Sequence, residues 1–112
     1  MSDMSDLRTI AKTKVRRACA ECEKTIEIGS CAIRRFTVDG NDHFEAFSHI
    51  ECDDAGQAYA HMTDNWGDDY WHLWELNEGE DLMWLLNHHP MAADRVGAPQ
   101  RVMRWAMERR RL

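Results

Sequence analysis

The chain has 112 residues, 44% hydrophobic and 30% charged, with a net charge of −6. That length suits one domain, and so short a chain buries a modest fraction of its surface, so a metal or a partner can matter to its stability. No apolar run approaches the about 18 residues that a membrane span needs, and the start "MSDMSDLRT" lacks the apolar stretch of a secretory signal.

The expected compartment is therefore the cytoplasm, where thiols stay reduced. Four cysteines there point to metal binding or core packing before disulfides. Residues 1–14 are polar with scattered apolar positions (Met4, Leu7, Ile10), and read as a flexible or short helical arm. In "RRACAECEKTIEIGS" Gly29 suits a tight turn. "CAIRRFTV" (31–38) is rich in β-branched and aromatic residues and reads as a strand. "DGND" (39–42) marks a turn and "HFEAFS" (43–48) alternates as the return strand, completing a hairpin.

Ser48 and Glu51 form an S-x-x-E capping pattern, which predicts a helix from His49 to about Thr63. His49 and Cys52 then share one face of its first turn, where the helix dipole favours a thiolate. "WGDDYWHLWELNEGE" (66–80) fits neither the helical nor the strand period. "EDLMWLLNHHP" (80–90) predicts a helix with Leu82, Leu85 and Leu86 on one side and Pro90 as its stop. "APQRVMRWAMERRRL" (98–112) predicts a last helix with Pro99 in its first turn and a buried stripe of Val102, Met103, Ala106 and Met107.

The chemistry lies in the cysteines. Cys19 and Cys22 are three apart, and so are His49 and Cys52. Zinc takes four N or S ligands in a tetrahedron, and two short-range pairs supply them with little chain strain. A redox C-x-x-C would sit between a strand and a helix, whereas this one precedes a hairpin. Cys31 has no spacing partner and reads as a small core residue. Three thiolates and one Zn²⁺ leave about one negative charge, which Arg16, Arg17 and Lys24 are near enough in sequence to offset. Four protein ligands leave no place for substrate, so the metal is expected to be structural and the protein not an enzyme. His88 and His89 raise the question of a nuclease site, but they end a later helix, where histidine suits the dipole. His43, His61 and His72 are isolated.

The order knuckle, hairpin, helix N-terminus resembles treble-clef zinc fingers, including the LIM and PARP types, which use C-x2-C … H-x2-C. More closely, "CAECEKTIEIGSCAIRRFTVDGNDHFEAFSHIEC" is similar to small bacterial and phage zinc-finger proteins. The matching positions are Cys19, Cys22, Ile26, Gly29, Asp39, Gly40, His49, Glu51 and Cys52, and they span about residues 15–55. The resemblance implies one structural zinc, no particular activity, and a bacterial cell or phage-infected host. The expected class is α+β: a treble-clef finger over 15–65, then a Trp-rich extension over 66–112 with two or three helices packed on it.

Charge is segregated along the chain. Residues 1–38 carry +3, residues 39–94 carry −14 with no Lys or Arg, and residues 95–112 carry +5. Either the basic ends fold back on the acidic middle, or the middle steers a basic partner. Five Trp are many for this length, and Trp and Tyr concentrate in binding hot spots. The expected function is a binding module for a protein partner, a phage inhibitor or adaptor in its sharper form. Its face would comprise Asp64, Asp68, Asp69, Tyr70, Trp71, Trp74, Glu78, Glu80 and Asp81. The alternative is a nucleic-acid-binding finger using Arg16, Arg17, Arg34, Arg35, Arg109, Arg110 and Arg111, against which the acidic segment would repel phosphate.

Overall fold

The computed structural model describes residues 5–64 and 71–110. It is an α+β fold, strand hairpins followed by helices, drawn out to 52 × 37 × 19 Å. The hairpin forms where the sequence places it. Strands β4 (Cys31–Asp39) and β5 (Asp42–His49) pair antiparallel around a two-residue turn, and Gly40 takes φ +63°, open to glycine at little cost.

The N-terminal stretch differs from its expectation as an arm or short helix. Residues Ser5–Lys12 form strand β1, which pairs antiparallel with β4, so β4 is the middle of a three-stranded sheet. Thr13 fastens the end of β1. Its N–H donates to the Ser30 carbonyl at 3.0 Å, its hydroxyl donates to the Glu27 carbonyl at 2.7 Å, and its own carbonyl accepts from the Gly29 N–H at 2.8 Å. A ladder of backbone bonds to a strand 26 positions away outweighs weak local propensity. The chain between them folds into a second small hairpin, β2 (Arg17–Ala18) with β3 (Thr25–Ile26).

Helix α1 (Ile50–Thr63) buries Cys52, Ala55, Gly56, Tyr59 and Ala60, a helical stripe. The capping box does not form. His49 occupies the N-cap with no side-chain cap bond, Ser48 is buried on β5, and Glu51 pairs with Arg95 instead. The helix ends where expected, with Asp64 in the left-handed region and its N–H donating to the Ala60 carbonyl. Asp53 turns towards the sheet, where Arg8 and Arg35 stand directly opposite each other on β1 and β4. Its carboxylate accepts from Arg8 Nε at 3.0 Å and from Arg35 Nε at 2.9 Å.

The unassigned stretch before the later helices holds a 3₁₀ turn, Leu73–Glu75. The His72 N–H donates to the Glu75 carboxylate at 2.7 Å, which caps the turn, while Leu73 and Leu76 plug the core. Helix α2 (Gly79–His88) buries Leu82 and Leu85, as its pattern predicts. α2 stops before Pro90, as expected. Pro90 then opens a further short helix, α3 (Pro90–Arg95), because proline fits the first helical turn, where an N–H would have no partner. Gly97 (φ +73°) turns the chain into α4 (Ala98–Arg110).

The predicted stripe of α4 is only half right. Ala98 is buried and Val102 packs against the core, but Met103 and Met107 are 65% and 55% exposed. The core-facing role passes to Trp105, whose indole lies on Gly79, leaving no room there for a Cβ. A Cβ on Gly79 would collide with the indole carbons of Trp105. Gly79→Ala is therefore expected to displace Trp105 and destabilise by about 1–3 kcal/mol, a cost of overpacking that exceeds the helix-propensity gain. A urea titration read by tryptophan fluorescence checks this; an unchanged midpoint would mean that the indole moves aside freely. Among the described residues no helix is long and apolar enough to cross a membrane.

Candidate metal centre

The knuckle is built by backbone hydrogen bonds. The Cys19 N–H donates to the Lys24 carbonyl and the Glu23 N–H to the Cys19 carbonyl, both at 2.9 Å. Glu23 takes φ 67°, which tightens the turn so that Cys19 and Cys22 point the same way. β5 ends at His49, and α1 presents Cys52 from its first turn. The Ala20 N–H donates to the Phe47 carbonyl at 2.9 Å, which holds the knuckle against β5.

These elements bring all four expected ligands together. One donor atom from each of Cys19, Cys22, His49 and Cys52 lies within 4.8 Å of every other. His49 Nδ1 is 3.4 Å from Cys22 Sγ and 3.8 Å from Cys52 Sγ. Metal bonds of about 2.0–2.3 Å at tetrahedral angles give edges of roughly 3.3–3.8 Å, so the cluster can hold one metal ion. The three cysteines are buried and His49 is partly buried.

Surrounding groups orient the ligands. His49 Nε2 is 3.2 Å from the Thr25 carbonyl, an acceptor that fixes the proton on Nε2 and leaves the Nδ1 lone pair facing the sulfurs. The backbone N–H of Lys24 points at Cys22 Sγ and that of His49 at Cys19 Sγ, each at 3.4 Å. Such donors favour thiolate. The sulfurs also act on one another. Hydrogen bonds from Cys22 and then Cys52 lower the Cys19 thiol, while the bond to Cys19 pushes Cys22 up to about 11, and bonds to Cys19 and Cys22 with burial raise Cys52 further. A coordinated divalent cation overrides this sharing, because a ligating thiol loses its proton outright.

A cation from outside the knuckle joins those near it in sequence. Arg95 of α3 approaches Cys52 Sγ at 3.8 Å and pairs with Glu51. Arg16 lies 3.9 Å from Glu27, and Arg17 stacks over the Phe47 ring at 4.0 Å. Only the tertiary fold brings Arg95 here, and no spacing signal announces it. Cys31 is exposed at the start of β4, against its reading as a core residue, and is not part of the cluster.

Glu21, inside the knuckle, is buried and accepts from His72 Nδ1 at 3.1 Å, while its carbonyl accepts from the Trp74 N–H at 2.8 Å. This joins the knuckle to the 3₁₀ turn. The bond to Glu21 raises the His72 pKa, against the opposing effect of burial. A raised histidine stabilises fully below its unfolded value, about 6.5, and loses that contribution as pH rises through the folded value. The melting-temperature advantage of the native chain over His72→Gln should accordingly shrink between pH 6 and 9. A constant or growing difference would show that the imidazole is neutral throughout.

Trp71 and Trp74 are 48% and 43% exposed, whereas Trp84 packs on Tyr59 and Trp105 on Gly79. Trp74 stacks on His72 and borders a cleft of about 340 Å³ beside Cys22, Lys24 and Arg101. Among the described residues, no ion pair reaches Glu78 or Glu80, and both are exposed. Asp81 accepts from the Tyr59 hydroxyl at 3.1 Å; burial and this carboxylate push the Tyr59 phenol up to about 12, so it stays a donor. Asp64 is exposed at the α1 C-cap. Asp68, Asp69, Tyr70 and Arg111 lie outside the described residues, as do the side chains of Arg109 and Arg110. The acidic middle divides between two uses. Glu45, Glu51, Asp53 and Asp54 pair with Arg34, Arg95, Arg35 and Arg8, leaving Arg34 and Arg35 already engaged.

Compared with protein-family models, with curated proteins and with solved structures, the chain matches none.

Proposed function

We propose that this chain is a non-enzymatic binding module of treble-clef type, stabilised by one structural Zn²⁺ on Cys19, Cys22, His49 and Cys52, that engages a protein partner through an acidic, Trp-bearing face. The observation that carries the reading is the closed ligand set. Donor atoms of four protein residues lie within 4.8 Å of one another in a mostly buried site, and a metal that they saturate has no position for substrate. Thiolate-rich sites of this geometry favour zinc over hard cations. The order of knuckle, hairpin and helix N-terminus supports the treble-clef assignment.

The partner face consists of Glu78 and Glu80, with Trp71 and Trp74 close to half exposed on the segment that leads to them. An unpaired acidic surface steers a basic partner, and an exposed indole gives it an anchor. The resemblance to phage fingers extends the proposal to an inhibitor or adaptor of a host protein in the bacterial cytoplasm. Nucleic acid is the less favoured partner, because Arg34 and Arg35 are neutralised by Glu45 and Asp53. Glu78→Gln with Glu80→Gln should slow association with a basic partner several-fold and flatten its salt dependence, while the melting temperature holds, as surface changes usually allow. A lowered melting temperature with association spared would mean that the acids serve the fold.

A further inference from the structure

Helix α4 faces the body of the protein with Ala98, Val102 and Trp105. Its opposite side carries Gln100, Met103, Arg104, Met107 and Glu108, all exposed, which line a shallow groove of about 380 Å³. Met103 and Met107, one turn apart, are 65% and 55% exposed and make the apolar seam. Arg104 and Glu108, also one turn apart, stand together on one flank of it. Among the described residues no ion pair reaches either of them. Their order along the chain, cation first, is the weaker one for a pair within a helix. Glu108 also sits in the last turn, where the helix dipole disfavours a carboxylate. Neither charge is placed to serve its own helix.

We infer that this side of α4 is a self-association surface, and that its occupant is α4 of a second copy of the chain, laid antiparallel about a two-fold axis. One cation and one anion on the same flank make the seam complementary to itself in one direction only. Antiparallel helices bring like flanks together with their order reversed. Arg104 then meets the partner's Glu108, and Glu108 meets the partner's Arg104, the same contact made twice. Met103 and Met107 fill the space between the helices, where a flexible, polarisable side chain packs readily. A parallel pairing would set this flank against the methionine flank and leave both charges without a partner. A helix of uniform charge, acidic or basic, would satisfy one of the two and oppose the other. Two turns of helix cover less than the about 1,200–2,000 Å² of stable complexes, so the dimer is weak and forms at about 0.1 mM chain and above. It does not rest on the acidic-face reading: Glu78→Gln with Glu80→Gln should leave it unchanged.

The test is sedimentation equilibrium of the full, zinc-loaded chain from about 10 µM to about 1 mM. A monomer should pass to a dimer and to nothing larger, since a two-fold interface closes on itself. Arg104→Glu and Glu108→Arg should each weaken the dimer about ten-fold, because each sets like charges against one another at both symmetric contacts. The two single-variant chains mixed in equal amounts should pair at least as well as the native chain does, and the double exchange in one chain should restore the native constant. Met103→Gln with Met107→Gln should abolish the dimer while the melting temperature of the dilute chain holds. A chain that stays monomeric throughout would overturn the inference. A dimer indifferent to the charge exchanges would do the same, since it uses another surface or a parallel pairing. So would ¹³C-methyl signals of Met103 and Met107 that ignore chain concentration and shift instead on adding an amphipathic helical peptide, which indicates another protein, or phosphatidylglycerol vesicles, which indicates a membrane.

Discussion

Stripping the metal is expected to unfold the hairpin-bearing half of this protein. Zinc binding to such ligand sets is worth on the order of 10 kcal/mol, comparable to the roughly 5–15 kcal/mol by which a whole domain is stable. A metal held by these four residues would also close the loop from Cys19 to Cys52 and fix the end of β5 against the start of α1. Native mass spectrometry should give one zinc per chain, and a strong chelator should abolish the cooperative thermal transition. Cys52→Ser should lose the metal or the fold. Cys31→Ser should keep both, since Cys31 is exposed and outside the cluster. Metal retained at full stoichiometry after loss of Cys52 would remove it from the ligand set.

The Cys19, Cys22, His49, Cys52 cluster was readable because its signal is local: two pairs at fixed spacing around a hairpin with its own Asp39–Gly40 turn. Helices α2 and α4 were readable for the same reason, from leucine periodicity and from Pro99. What escaped depends on distant partners. β1 is a strand because β4 lies beside it, and "SDLRTIAK" carries little sign of that. The Ser48–Glu51 pattern promised a cap, but Ser48 is held in β5 and Glu51 turns to Arg95, 44 positions on. The α4 stripe has the right period and the wrong phase, because Trp105 claims the core through the gap left by Gly79. Four of the acidic segment's fourteen carboxylates, Glu45, Glu51, Asp53 and Asp54, pair with the chain's own arginines, which composition alone cannot show.

The second large effect is expected at Asp53. This carboxylate, 4% exposed, receives Nε of Arg8 and both Nε and Nη2 of Arg35, the last at 3.2 Å. Removing it leaves two guanidinium groups facing each other across paired strands, with the helix no longer pinned above them. Loss of one partner from a buried ion network typically costs about 3–5 kcal/mol, and the partial exposure of Arg8 and Arg35 places Asp53→Ala near the low end, about 3 kcal/mol. Arg8→Ala should cost no more than about 1 kcal/mol, because Arg35 remains to neutralise Asp53. Urea denaturation of zinc-saturated protein measures both. If Asp53→Ala cost less than Arg8→Ala, the carboxylate would not be the hub of this network.

The position of β4 between β1 and β5 has a consequence for how the backbone exchanges hydrogen with water. A central strand directs its amides, alternately, to one neighbour or the other, so the N–H groups from Ala32 to Val38, which lie between both neighbours, are engaged. The outer strands turn every second N–H to solvent, since each has one neighbour along most of its length. In deuterated water, β4 therefore retains protons as an unbroken block, while β1 and β5 retain them at alternate residues. The slow block lies at the heart of the sheet that ends at the Cys/His cluster, and its lifetime reports the opening of the whole sheet.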